Sequence, residues 1–100
     1  MKTSIFLLNG QWVAVFEGRL DTTAASMTEQ EVRPLYGCNG EDIILDCAQL
    51  QYISSSGLRI FLGILKAAKP KGSRVYIRNI NDDLKQVFDI TGFSSLFQFL

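Results

Sequence analysis

Residues Tyr52 to Leu62 read YISSSGLRIFL, with three consecutive serines directly before a glycine and an apolar run. Serine is a preferred residue for capping a helix N-terminus, and Gly57 lets another part of the backbone approach closely. Apolar residues then recur at helical spacing, at Leu58, Phe61, Leu62 and Leu65. The stretch predicts a tight loop at Ser54–Gly57 and a helix that runs from Ser56 or Gly57 to Ala68.

The predicted helix has a second apolar flank, formed by Ile60, Ile64 and Ala67. Apolar residues on two faces usually mean that a helix lies between a sheet and a neighbouring helix. The alternative is an exposed flank that a partner protein covers. The first interpretation places this helix in the centre of the domain, and the second places it in the interface with a partner.

Strands are predicted on both sides of the serine stretch. Residues 42–47 form a nearly continuous apolar run, which is typical of an inner strand covered on both faces. Residues 73–80 alternate between apolar and polar side chains and predict another strand. A third helix comes next, with capping and acidic residues at Asn81–Asp83, and the apolar tail 93–100 predicts an edge strand.

The N-terminal third predicts a hairpin and then a helix. Runs at 4–8 and 12–16 are β-prone, and the Asn9-Gly10 pair between them favours a tight turn. Asp21 or Thr22 can cap the next helix, whose thin apolar face is formed by Ala25, Val32 and Leu35 with Met27 nearby. The order of elements predicts one α/β domain over residues 1–100, with a mostly parallel sheet of four to five strands and helices packed against it.

Composition excludes several classes of function. The 100 residues carry ten cationic and ten acidic side chains, and Lys66, Lys69, Lys71 and Arg74 are best explained as a solvated helix end rather than a nucleic-acid site. No histidine is present, so histidine-based triads and zinc sites are excluded, and no phosphate-binding glycine motif occurs. We therefore expect no catalytic residues, no metal and no cofactor.

The expected location is the cytoplasm, without insertion into a membrane. No apolar run has the length of a membrane span, and the opening segment 1–12 is too short in its apolar part for a signal peptide. Cys38 and Cys47 are expected to be free and mostly buried, because two widely spaced cysteines do not form a disulfide scaffold.

Three separated segments resemble one known family, the STAS domains, and within it the bacterial anti-sigma factor antagonists. Residues 16–25, FEGRLDTTAA, are similar to the family's G-x-L-D pattern, which falls on Gly18, Leu20 and Asp21. Residues 44–62 resemble its strand, its Asp-Ser-Ser/Thr-Gly-Leu motif and the helix after it. Residues 87–93, VFDITGF, are similar to its third helix. The resemblance covers essentially the whole chain.

The resemblance implies a switch in protein binding. In the family, the serine directly after the motif's Asp is phosphorylated by an anti-sigma factor that is also a serine kinase of the GHKL type. That serine falls on Ser55, with Ser56 as the alternative acceptor. The unphosphorylated antagonist binds the kinase and releases the sigma factor, and a serine phosphatase is a further partner that this scheme allows. The implied partner-binding residues are Asp21, Ser54, Ser55, Ser56, Gly57, Leu58, Arg59 and Ile60.

One position departs from the family pattern, because Ser54 stands where the family usually has Asp. An Asp there could orient the acceptor or assist the kinase reaction, whereas binding does not require it. The second hypothesis is therefore a constitutive STAS subunit, such as the small component of a membrane lipid ABC transporter. Asp21 is expected to cap a helix or to lie at the rim of the docking surface. A third hypothesis, a hydrolase using Ser55 or Ser56, lacks an ordinary general base.

Overall fold

The computed structural model describes all residues from Met1 to Leu100. The main elements are β1 (Lys2–Leu8), β2 (Gln11–Leu20), α1 (Thr22–Glu31), β3 (Ile43–Ile53), α2 (Ser55–Ala68), β4 (Val75–Arg78), α3 (Asp82–Ile90) and β5 (Gln98–Phe99). Short 3₁₀ segments come after the three helices, at Arg33–Gly37, Lys69–Lys71 and Phe93–Ser95. This order confirms the predicted α/β domain.

The five strands form one sheet in the order β1-β2-β3-β4-β5. Strands β1 and β2 pair in antiparallel fashion, and all other neighbours are parallel. The turn residues Asn9 and Gly10 have φ angles of 52° and 78°, which the predicted Asn-Gly hairpin turn requires. Parallel pairing places the carboxyl ends of β2 and β3 at the same edge of the sheet.

One core lies between one face of the sheet and the three helices. Phe16 of β2, Phe61 of α2 and Phe88 of α3 form a chain of ring contacts, with centroids 5.1 and 6.0 Å apart. Both flanks of α2 contribute, since Ile60 and Ile64 are buried together with Leu58 and Phe61. This confirms that α2 lies between the sheet and a neighbouring helix.

Several predictions on element bounds and burial were wrong. Strand β3 continues to Ile53, and only Ser54 connects it to α2, so the predicted loop at residues 54–57 is absent. Met27 lies on the outer side of α1 and is 64% exposed, so it does not belong to the apolar face. Leu62 and Leu65 are only partly buried, because the core-facing stripe of α2 includes Ile60 and Ile64 instead.

The two cysteines are free and buried, as predicted. Burial raises the pKa of the Cys47 thiol to about 12, and the neighbouring Asp46 carboxylate acts in the same direction. That thiol therefore remains protonated and unreactive at neutral pH. No helix of the chain combines the length and the apolar character that crossing a membrane requires.

Candidate functional site

The serine stretch and Asp21 meet at the edge of the sheet where β2 and β3 end. Leu20 pairs with Ile53 as the last residue of each strand. The amide of Ser54 then donates a hydrogen bond of 2.9 Å to the carbonyl of Leu20. Helices α1 and α2 consequently begin side by side, with a single residue between each strand and its helix.

Both helices begin with a side-chain cap. The Asp21 carboxylate accepts a hydrogen bond of 2.8 Å from the amide of Ala24, and the Ser54 hydroxyl oxygen accepts one of 3.1 Å from the amide of Gly57. Each bond satisfies one of the unpaired N–H groups in a first helical turn. The predicted cap at Asp21 is therefore confirmed, and among the serines the cap is Ser54.

Gly57 holds the start of α2 close to the ends of the two strands. A Cβ atom at this position would lie 2.7 Å from Cγ of Leu20 and 2.8 Å from Cγ1 of Ile53. Real Cβ atoms do not come this close to carbon, so a larger residue would push α2 away from the sheet. Because Gly57 has no side chain, the start of α2 packs closely against the strand ends, and this contact positions the serines before it.

The three serines occupy three different environments. Ser54 is 8% exposed, and its hydroxyl alone among the three forms a hydrogen bond within the chain. Ser55 is the first residue of α2 and is exposed, whereas Ser56 is partly buried at the wall of a groove. Only Ser55 combines an exposed side chain with a hydroxyl that the fold does not use.

Some of the remaining predicted docking residues are buried in the core, and others are exposed or partly exposed. Gly57, Leu58 and Ile60 are buried in the first two turns of α2, where they pack against the core. Arg59 is exposed to solvent. Asp21 is partly buried beside Ser54, so the structure brings it to the serine stretch as predicted.

An open groove of about 380 Å³ lies between α1 and α2, with Ser56 in its wall. Sequence reasoning missed its residues from α1 and the 3₁₀ turn after α1, because they lie about twenty or more positions before the serines and carry no local motif. Burial raises the pKa of Tyr36 above its ordinary value, and the nearby Glu29 carboxylate adds to this, so its phenol remains a donor. The lining consists of Ala25, Ser26, Glu29, Tyr36, Ser56, Arg59 and Ile60.

The side chains at this site define what it offers chemically. No group of three or more His, Cys, Asp or Glu side chains converges to hold a metal ion. The site instead presents hydroxyl groups, a guanidinium group and a carboxylate around a rigid helix start. These groups are hydrogen-bond donors and acceptors, and a hydroxyl is also a nucleophile that can be modified covalently.

The sequence of this chain matches a known protein family. The family model described as the STAS domain matches residues 10–100. BtrV of Bordetella bronchiseptica, named as a candidate anti-sigma factor antagonist, is 28% identical over 97 residues, covering 97% of this chain and 84% of the relative. The anti-sigma-B factor antagonist of Staphylococcus aureus is 30% identical over 79 residues, covering 79% of this chain and 73% of the relative.

A solved structure supports the fold as well. The phosphorylated form of SpoIIAA, a cell-fate determinant of Bacillus, superposes with a TM-score of 0.73 at 18% identity, covering 99% of this chain and 91% of that one. The family model and the superposition agree over nearly the entire length. The two relatives above are named as anti-sigma factor antagonists, and the chain is a member of the STAS domain family.

Proposed function

We propose that this chain is an anti-sigma factor antagonist that phosphorylation of Ser55 switches off. In the unmodified state it binds an anti-sigma factor that is also a serine kinase of the GHKL type, and the sigma factor is released. The phosphorylated chain dissociates, and a serine phosphatase restores it. The chain itself is a binding protein of the cytoplasm and not an enzyme.

The observation that carries this proposal is the exposed, unused hydroxyl of Ser55 at the first position of α2. A kinase needs access to the acceptor oxygen from solvent. Ser54 does not qualify as the acceptor, because it is buried and its hydroxyl caps α2. Ser56 is partly buried in the groove wall and is therefore the second choice of acceptor. In the reaction, the Ser55 oxygen forms an O–P bond with the γ-phosphoryl group of ATP as the bond to ADP breaks, and a base of the kinase takes the proton.

The added phosphate is compatible with the fold. It brings about −1.5 to −2 charges and three acceptor oxygens at neutral pH. The first turn of α2 contains no acidic residue, and its N–H groups and helix dipole favour a negative charge at this end. We therefore expect the domain to keep its structure when Ser55 is modified.

The same phosphate is not compatible with a closely fitted partner. The proposed docking surface consists of the start of α2 with the residues around it, so Ser55 lies at its centre. Burying a charge that the partner protein does not pair costs several kcal/mol, and like charges repel. Phosphorylation of Ser55, which the domain tolerates, thus dissociates the complex with the anti-sigma factor. The docking residues are Asp21, Ser54, Ser55, Ser56, Gly57, Leu58, Arg59 and Ile60.

The test uses the unmodified chain as bait to isolate its anti-sigma factor from the source organism. With that kinase and ATP, mass spectrometry is expected to find one added phosphate on the wild-type chain and none on Ser55→Ala. Ser56→Ala is the matched control and keeps its phosphate. A kinase that binds the chain but leaves Ser55 unmodified would contradict the switch.

One observation favours a second candidate, a constitutive STAS subunit of a membrane lipid ABC transporter. Ser54, which replaces the family's usual Asp, uses its only side-chain oxygen to cap α2, so no carboxylate stands at the position before the acceptor. A constitutive subunit needs only to dock to its partner and does not need to be phosphorylated. Co-purification separates the candidates, because the first predicts a GHKL-type kinase with the bait and the second predicts a transporter ATPase.

A further inference from the structure

Arg59 is a cation on the outer surface of α2 without a partner inside the protein. It is exposed, and no carboxylate lies within 4.0 Å of its guanidinium group. The only other charged group in the same groove, Glu29, already pairs with Arg33 at 3.1 Å. Arg59 therefore has its full hydrogen-bonding capacity available.

The position of Arg59 relative to Ser55 suits an intrahelical pair. The two residues are four positions apart in α2, which places them on the same face about 6 Å apart along the axis. Helical side chains lean toward the N-terminus, so the preferred direction of the long Arg59 side chain is toward the turn that contains Ser55. Arg59 also lines the same groove as Ser56, the residue after Ser55, so both belong to the surface beside the first turn of α2.

The order of the two residues is the favourable one. An acidic group placed four residues before a cation stabilises a helix more than the reverse order, because each charge then also suits the helix dipole. A phosphate at Ser55 would provide that acid. Arginine also binds phosphate oxygens with two parallel hydrogen bonds, which a lysine cannot do.

We propose that Arg59 is the internal partner of the phosphate on Ser55, so that one modification changes two positions of the docking surface. The phosphate adds charge at Ser55, and at the same time it withdraws the guanidinium of Arg59 from any contact with the partner. This inference rests on the proposed role of Ser55 as the phosphoacceptor. It adds a specific residue to the switch.

The test measures the pKa of the phosphate and needs no partner protein. Chain carrying phosphoserine at position 55 is made by incorporating phosphoserine during translation, and the second phosphate pKa is followed by ³¹P NMR. In the wild-type chain at 0.1 M ionic strength we expect this pKa to be lower than in Arg59→Gln by about 0.3 pH unit. Arg59→Lys is expected to restore part of the difference.

Lys66→Gln is the matched control, since it removes a cation from the same helix about 16 Å from Ser55, beyond the screening length of about 10 Å at 0.1 M ionic strength. Its phosphate pKa should equal that of the wild type. Equal pKa values in wild type and Arg59→Gln would overturn the inference. This result is independent of the proposed function: a kinase that modifies Ser55 without the pKa difference refutes only Arg59, whereas the pKa difference without any modifying kinase refutes only the switch.

Discussion

Helices α2 and α3 begin with the same kind of cap and differ in the residues directly after it. The Ser54 oxygen accepts from the amide of Gly57 at 3.1 Å, and the Asn81 oxygen accepts from the amide of Leu84 at 2.8 Å. After the cap, α3 has two acidic residues, Asp82 and Asp83, where α2 has Ser55 and Ser56.

This difference explains how a domain can accept a regulatory charge. The start of α3 carries permanent negative charge, which complements its N–H groups and dipole. The start of α2 is neutral, and Ser55 occupies the position that corresponds to Asp82. Phosphorylation would give α2 the kind of charge that α3 has in its sequence. The fold therefore already contains one helix start, that of α3, which carries negative charge.

The largest expected effect concerns the third position of each helix, which is Gly57 in α2 and Leu84 in α3. Gly57→Ala is expected to lower the free energy of unfolding by about 1–3 kcal/mol, because the new Cβ overlaps Leu20 and Ile53. Urea unfolding measures this change. Gly63→Ala is the control, since its Cβ meets only the hydroxyl end of Tyr36, at 3.1 Å, and alanine favours the helix. A Gly57→Ala chain as stable as the wild type would show that α2 is not held closely to the sheet.

The two caps provide the next test. Ser54→Ala and Asn81→Ala are each expected to cost about 0.5–2 kcal/mol of stability in urea unfolding. The loss should be larger at Ser54, because that residue is buried and water cannot replace the lost bond to Gly57, whereas Asn81 is exposed. Ser55→Ala, which removes no internal hydrogen bond, should change stability by less than about 0.5 kcal/mol. Equal losses of stability in Ser54→Ala and Ser55→Ala would contradict the assignment of Ser54 as the cap and Ser55 as the free hydroxyl.

The smallest effects concern charge. Asp82→Asn is expected to destabilise the chain and Ser55→Asp to stabilise it, each by about 0.3–1 kcal/mol at low salt. High salt should reduce both differences, because exposed charges are screened. Thermal unfolding at the two salt concentrations makes the comparison. Destabilisation by Ser55→Asp at low salt would mean that the start of α2 does not favour a negative charge.

Local signals were sufficient to predict most of the fold. Asn9-Gly10 marks a hairpin because its residues adopt positive φ angles, and the two apolar flanks of α2 predict its central place. The extension of β3 to Ile53 was missed because β2 and β3 shift register twice, which breaks the alternation of buried and exposed residues. Periodicity does not detect a strand that contains such irregularities.

The site was predictable only in part. The serine stretch placed the hydroxyls at a helix start, and the resemblance to the STAS family pointed to Ser55. Sequence alone did not separate the cap from the acceptor, since any of the three serines suits an N-cap. That distinction depends on the backbone bond from Ser54 to Leu20 and on the close approach of Gly57 to Leu20, both of which join residues more than thirty positions apart.

The most direct measurement is the Kd of the isolated anti-sigma factor for the unmodified chain and for the chain phosphorylated at Ser55, by calorimetric titration. Urea unfolding of both forms accompanies it, to verify that each is folded. We expect equal or slightly higher stability after phosphorylation and a Kd weakened by about a hundredfold or more. Equal Kd values for two folded forms would contradict the claim that a charge at Ser55 is accepted by the fold and rejected by the interface.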